Sequence, residues 1–368
     1  MSRSRKLSDF ASSYDSGSPF GMKNRIINGA MVIDQRNAGA SVSISAPAYT
    51  LDRMYSLASG GGVYTVQQSS TVPSTTGFRT SAAYTVTTAD SSIASGDYYG
   101  FDQRIEGYNV SDLNFGNSGA TPFTVSFWVR SSVTGTYSVA FFNSAADRSY
   151  VTTYTISAAN TWEQKTITVT PDTGGTWLTT NGIGVVVRFS LGVGSTYTTS
   201  TLNAWQAGLY FNANTATNWI ATNGATFYIT GVQLEAGSVA SPFERRDYGR
   251  ELMMCQRYLP AFNSTNNSDR LPGSGICAGT TQAYFTIVFP TTTRVPATGV
   301  TVSSGSHFTV DVDGLVAPTS TSVSFSSLSS LNAARIGVTV ASGLTLGQPM
   351  FLTINNSSGR ILFTGCEL

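Results

Sequence analysis

The run FTVSFWVR at Phe123–Arg130 alternates without a break. Phe123, Val125, Phe127 and Val129 fall on one side of an extended chain, and Thr124, Ser126, Trp128 and Arg130 on the other. Successive side chains of a strand point to opposite faces, so this period of two marks a strand with one core face. Trp128 then faces away from the apolar set, toward a second sheet surface or a partner. The same rhythm recurs on both sides of this run, at Tyr64–Gln68, Ala83–Thr87, Tyr137–Asn143, Tyr150–Ile156, Trp162–Val169, Gly184–Phe189, Ala207–Phe211 and Thr226–Leu234. Gly, Ser, Thr and Asn turns separate these segments. Upstream, Asn24–Ala40 is apolar at Ile26–Ile27 and Met31–Ile33 around Asn28–Gly29, which reads as a first strand or a bent strand pair. Nine or more short antiparallel strands over roughly 210 residues predict an all-β fold, a jelly-roll-like β-sandwich spanning residues 25–246.

Composition agrees with that class. Of 368 residues only 11% are charged, while 41% are hydrophobic, enough for a sizeable core. Few charges and many hydroxyls suit short strands and turns rather than long exposed helices. A net charge of +1 offers no broad basic face for nucleic acid. No apolar run reaches membrane-spanning length, so no membrane insertion is expected. Residues 1–24 carry basic residues without an apolar h-region, so no secretory signal is expected there. Ser, Gly, Asp and Pro break any period in this stretch. It reads either as a floppy tail or as an extended arm whose isolated Leu7, Phe10, Tyr14 and Phe20 dock onto a partner.

One stretch departs from the low-charge style. Glu244–Glu251 packs six charged residues into eight positions. It leads into residues 247–260, where Leu252, Met253, Gln256 and Leu259 recur at helical spacing until Pro260 stops the pattern. This predicts a short linking helix, with those four residues as candidates for a contact between copies at a symmetry axis. Residues 261–368 then return to strands at Thr281–Phe289, His307–Val312, Ser322–Leu328, Ala334–Val340, Met350–Asn355 and Ile361–Gly365. Asp313–Gly314 and Asn356–Gly359 read as hairpin connections. Six or so strands predict a second, smaller β-sandwich domain.

No catalytic constellation is visible. The single histidine, His307, has no nucleophile to pair with, and there is no P-loop or dinucleotide fingerprint. Glu106, Glu163 and Glu235 would have to converge across a groove to cleave a glycoside. No repeat of 20–30 residues announces a β-helix, so the chain is read as not being an enzyme, with a glycan-degrading enzyme as the alternative. Asp90, Asp97, Asp102 and Glu106 are acidic enough to suggest a structural Ca²⁺ and Asp311 with Asp313 a cation, but no loop has an EF-hand arrangement and no cofactor or metal is expected. Cys255, Cys277 and Cys366 lack metal spacing. Cys277 and Cys366 could pair if strands juxtaposed them, and buried free thiols are the expected state. Binding is the better class. Sugars are gripped by aromatic faces and amide hydrogen bonds. WQAGLYFNANTATNW, with Trp205, Tyr210, Asn212, Asn218 and Trp219, is the richest such zone, and Trp177 in the preceding TGGTW loop joins it. The competing assignment puts these tryptophans in the core or between subunits.

A resemblance adds to this. NRIINGAMVIDQRNAGAS with YTLDRM, YYGFDQRIEGYNVSDL, TVSFWVRSSVTGTYSV, NTWEQKTITV and GVQLEAGSVASPFERRDYGRELMMCQRYL occur in this order between Asn24 and Leu259. Together they resemble tailed-bacteriophage tail-fibre and minor tail proteins that carry a carbohydrate-binding-module-like β-sandwich. Met54 departs from the pattern, which places Trp after LDR, so no ligand stacking is assigned there. The resemblance implies a virion component located in the tail fibre and assembled as a homotrimer. Its N-terminal arm would join other tail or baseplate proteins, and its β domains would meet a host cell-surface glycan or protein. It also leaves open a purely structural adaptor or decoration protein.

Overall fold

The computed structural model describes residues 22–311 and 318–368. The arm residues Leu7, Phe10, Tyr14 and Phe20 and the Asp313–Gly314 connection lie outside the described residues. The chain divides into two compact units, one running to Arg246 and also holding Leu368, the other Asp247–Glu367.

The first unit is built from β1 (Val42–Ile44), β2 (Ala48–Tyr49), β3 (Tyr55–Ser59), β4 (Val63–Ser69), β5 (Ser81–Thr88), β6 (Tyr98–Glu106), β7 (Phe123–Ser131), β8 (Gly135–Phe142), β9 (Arg148–Ile156), β10 (Glu163–Val169), β11 (Ile183–Val193), β12 (Thr198–Thr199), β13 (Trp205–Ala207), β14 (Asn212–Ala213) and β15 (Thr226–Ala236). One sheet runs β1-β4-β5-β15-β7-β10 and the other β13-β9-β8-β11-β6-β3-β2. Every pairing within these two sheets is antiparallel. The short pair β12–β14 is parallel. The apolar side of FTVSFWVR lies wholly inside, with Phe123, Val125, Phe127 and Val129 all at 0% exposure. Aromatic rings join the two sheets. Phe127 meets Phe189 and Tyr154 edge-on at 5.0 Å, and Tyr84 stacks on Phe101 at 4.6 Å. Burying each such ring contributes about 1.5–3 kcal/mol, which ties the sheets face to face. Trp128 is half-buried on the opposite face of β7.

Two sequence expectations change here. Asn24–Ala40 forms no strand. It is an irregular plug that buries Ile26, Ile27, Met31 and Ile33. The side chain of Asn28 replaces ladder bonds: its Nδ2 donates to the Ile33 and Asp52 carbonyls at 2.8 and 3.0 Å, and its Oδ1 accepts from the Ile33 N–H at 2.9 Å. Ala207–Phe211 is likewise not one strand. β13 ends at Ala207 and β14 begins at Asn212, because Gly208 turns the chain at φ 94°.

The charged Glu244–Arg246 segment closes onto this unit. Arg246 donates to the Asn24 and Ile26 carbonyls, and the Glu244 carboxylate accepts from the Asn24 N–H at 2.7 Å. Phe243 packs edge-on against Phe78 at 5.1 Å. This charged segment is a strap fastened to the sandwich.

The second unit begins with helix α1 (Tyr248–Gln256), capped by Asp247, whose carboxylate accepts from the Arg250 N–H at 2.9 Å. Gln256 is buried and donates to the Ala261 carbonyl, and the Arg257 carbonyl accepts from the Arg294 N–H at 2.9 Å. Leu259 is buried with Ala261 and Leu362. The short helix packs within this unit. Its strands are β16 (Ala261–Asn263), β17 (Asp269–Arg270), β18 (Gly273–Cys277), β19 (Gln282–Val288), β20 (Gly299–Val302), β21 (Phe308–Asp311), β22 (Ser320–Ser329), β23 (Ala333–Val340), β24 (Pro349–Ile354) and β25 (Arg360–Thr364). A sheet β16-β25-β20 faces a longer one, β17-β24-β18-β19-β23-β22, with β21 also paired to β24. Phe285, Ile336, Val338, Phe308 and Phe363 fill the core between them. Within this unit β16, β17, β18 and β20 escaped the sequence reading, because each is short or glycine-rich and lacks a full alternation.

Candidate functional site

The β10–β11 loop, residues 170–182, carries Trp177, and its anchor is Asp172. The buried Asp172 carboxylate accepts from Arg148 Nε at 2.9 Å, from Arg148 Nη2 at 2.5 Å and from the Gly174 N–H at 3.1 Å. The paired carboxylate holds the Arg148 guanidinium further into its charged form than usual. The Asp172 carbonyl accepts from the Gly116 N–H at 2.9 Å, which joins this loop to the one carrying Phe115. Glycine is required at this junction. Gly175 has φ +76°, and a Cβ there would lie 2.6 Å from Arg148 Cγ; a Cβ on Gly116 would lie 2.9 Å from the Gly175 carbonyl oxygen.

Three rings gather where these loops meet. Trp177 and Trp205 stand edge to face at 5.2 Å, and Phe115 lies 5.0 Å from Trp177 and 5.7 Å from Trp205. Tyr150, the cross-strand partner of Trp205, backs it at 5.3 Å. Trp177 Nε1 donates to the Gly174 carbonyl at 3.0 Å and Trp205 Nε1 to the Thr170 carbonyl at 2.8 Å, which fixes both indoles. Asn143 Nδ2 donates to the Thr176 carbonyl at 3.0 Å and steadies the loop from below. All three rings are half-buried, while Thr173, Thr176 and Thr179 are exposed beside them. The cavity beneath Trp177 measures only about 20 Å³, room for a water molecule. A ligand would therefore lie across the corner, with the rings against its carbon surface and the exposed threonines at its polar rim.

The remaining predicted residues go elsewhere. Trp219 is 0% exposed and packs against Tyr64 at 6.1 Å and Phe227 at 6.4 Å. It offers no face to a ligand and leaves the candidate set, because the turn at 219–221 drives it into the core. Asn212 is buried in β14. Tyr210 is half-buried, its N–H donating to Ser149 Oγ at 3.1 Å. Asn218 is half-buried, with Nδ2 donating weakly to the Asp90 carbonyl at 3.5 Å. Around Tyr210 the chain roofs the outward face of the seven-stranded sheet, where Phe211 covers Ala140 and Val151. Under that roof Arg188 lies 4.6 Å from the Phe211 ring and donates to the fully buried Asp102 at 2.7 Å. Of the four residues predicted for a contact between copies, Gln256 and Leu259 are buried in the second unit, Leu259 beyond the end of α1, while Leu252 is half-buried and Met253 is exposed.

The three glutamates are each engaged where they stand. Glu163 bonds Lys165 at 2.6 Å and two backbone N–H groups; burial opposes its charge, but these bonds prevail and hold its carboxyl below the usual range. Glu235 accepts from Ser241 Oγ at 2.5 Å, and Glu106 is buried at the end of β6. Among the described residues no three acidic, His or Cys side chains form a metal-holding group. Asp313 lies outside those residues. His307 closes a 3-10 turn before β21, its Nδ1 2.8 Å from Ser303 Oγ. All three cysteines are free and buried. No helix among the described residues is long and apolar enough to cross a membrane.

Sequence reasoning named Trp177 and Trp205 but missed Phe115, Arg148 and Asp172. The available signal was the pair of glycine-bearing aromatic turns, NFGN and TGGTW. No protein-family model and no curated protein matches the chain. Among solved structures it is similar to the enzymatically active domain of tailspike protein 4 of bacteriophage CBA120, at 15% identity and a TM-score of 0.31, over 58% of this chain and 21% of that one. A carbohydrate-binding module of family 4 aligns at 17% identity and TM-score 0.27, over 57% of this chain and 97% of that one. A putative sugar-binding protein of Bacteroides thetaiotaomicron aligns at 12% identity and TM-score 0.31, over 58% of this chain and all (100%) of that one. The chain thus spans about a fifth of the tailspike chain, and none of these three likenesses assigns it a ligand or an activity.

Proposed function

We propose that this chain is a structural subunit of a tailed-phage tail fibre whose first β unit contributes to recognition of a host-surface glycan. The observation that carries the reading is the corner of Phe115, Trp177 and Trp205, half-exposed and fixed by indole hydrogen bonds beside exposed threonines. Such rings stack on the carbon face of a sugar with little loss of freedom, because they are already held in place. The ordered sequence blocks from Asn24 to Leu259 support the tail-fibre context. In this reading residues 1–24 attach the chain to other tail proteins in the virion, and three copies assemble with Leu252 and Met253 available to the contact. A trimer multiplies weak sugar contacts by avidity. The role is binding without turnover, in keeping with the separate engagement of Glu106, Glu163 and Glu235.

The test is a glycan array probed with the full chain, followed by titration of the best oligosaccharide into Trp177→Ala, Trp205→Ala and, as a control, Trp219→Phe. Either corner substitution is expected to weaken binding about tenfold or more, with the control unchanged. A wild-type chain that binds no glycan, or corner variants that bind as tightly as wild type, would refute the assignment.

A further inference from the structure

The outward face of the β18-β19-β23-β22 sheet bears one cation without an anion. Arg335 lies half-buried with its guanidinium 4.0 Å above the Tyr284 ring, and among the described residues it has no acidic partner. Two acids of the same unit are already spoken for: Asp269 by Ser264 and Asn266, and Asp311 by Arg270 at 3.1 Å. An arginine left unpaired on an aromatic ring keeps the outer edge of its donor fork free.

The ladder register places this pair at the edge of a depression. Tyr284 is opposite Gly337, and Gly337 is opposite Ser324, so the row has a side chain missing at its centre. A Cβ at Gly337 would lie 3.1 Å from both Gln282 Nε2 and Ser324 Oγ, so an amide and a hydroxyl close in over the glycine and form the floor of the depression. The bulge after Phe325, with Ser327 at φ 59°, raises one wall. The result is an open groove of about 420 Å³ lined by Gln282, Tyr284, Ser324, Ser327 and Arg335. The groove is open to solvent and its lining is mostly polar.

We infer that this groove is a second binding site, for a saccharide bearing a carboxylate. The carboxylate meets the Arg335 fork, which matches its planar geometry in two parallel hydrogen bonds. The Tyr284 ring, covered by the guanidinium, holds Arg335 in position, and Gln282 and Ser324 border the sugar's hydroxyls. A neutral sugar leaves Arg335 unpaired, so it binds less well. The site lies wholly within the second unit and does not depend on the corner of Trp177 and Trp205.

Isothermal titration of the full chain with trigalacturonate, 3′-sialyllactose, trigalacturonate methyl ester and sulfated lactose tests this. At least one of the two carboxylated probes is expected to bind, with the ester and the sulfated sugar at least tenfold weaker. Arg335→Gln and Tyr284→Ala should each reduce binding tenfold or more, since a charge-assisted hydrogen bond is lost in the first and the ring that positions the guanidinium in the second. Trp177→Ala should leave it unchanged. Heat-unfolding curves of the variants, matched to wild type, establish that each has folded. Failure of both carboxylated probes, equal binding of the ester, preference for the sulfated sugar, wild-type affinity in Arg335→Gln, or loss in Trp177→Ala would each overturn the inference. So would an Arg335→Gln variant that changes only the oligomeric state, which would make the groove a contact between copies.

Discussion

Replacing Asp172 by Asn tests whether the Arg148–Asp172 pair builds the aromatic corner. The change keeps the shape and one acceptor oxygen, so the Gly174 N–H bond survives while the charge behind two hydrogen bonds to Arg148 is lost. A hydrogen bond to a charged group contributes about 1.5–3 kcal/mol when shielded from water. Asp172 is shielded, with its side chain only 3% exposed, but Arg148 is 25% exposed, and solvent screening lowers the figure. The expected loss is about 1–2 kcal/mol in urea unfolding followed by fluorescence. Because Asp172 also positions the Gly174–Trp177 turn, hydrogen exchange at residues 172–177 should quicken while amides of β7 and β15 keep their protection. Arg148→Met should cost a similar amount, and the double variant should fall short of the sum by about 1 kcal/mol, the coupling expected of directly paired groups. Fully additive single effects, or unchanged exchange across 172–177, would show that the loop is held by something else.

Trp219→Ala removes a wholly buried indole and should cost about 3–5 kcal/mol in the same urea assay; a loss under 1 kcal/mol would contradict its place in the core. Glu163 has a folded-state pKa below its ordinary value, so its contribution is present above the unfolded-state pKa and fades as pH falls through the folded one. Wild type should accordingly be more stable than Glu163→Gln at pH 7, with the gap closing as the buffer is taken down toward pH 3; a gap that widens on acidification counts against the Lys165 and backbone bonds. Burial pushes the Cys366 thiol up to about 11, and Cys255 and Cys277 are buried as well. A thiol reagent at pH 8 should therefore label the native chain only at its unfolding rate, and all three thiols at once in denaturant; rapid native labelling of any one would place that thiol at the surface.

Much was legible in the residues alone. Alternation at Phe123–Arg130 and its repeats is a local property, because the pleat sends neighbouring side chains to opposite faces wherever the strand lies. That determined the strands that carry a full alternation, the all-β class and the buried stripe, and the helix after Asp247 followed from its own spacing. Asn24–Ala40 was misread for a related reason: apolar residues around an Asn-Gly pair look the same whether a ladder or one asparagine side chain satisfies the backbone. The corner could not be read this way. Residues 115, 177 and 205 meet because β10, β11 and β13 take particular places in two sheets, and sheet order depends on contacts far apart in sequence. The same long-range packing sent Trp219 inward and Trp205 to the surface, although both sit in one aromatic, asparagine-rich segment with nothing local to tell them apart. Residue types and their periods determined the elements of this protein; only the neighbours that each loop acquires on folding decided which aromatic rings reach the surface.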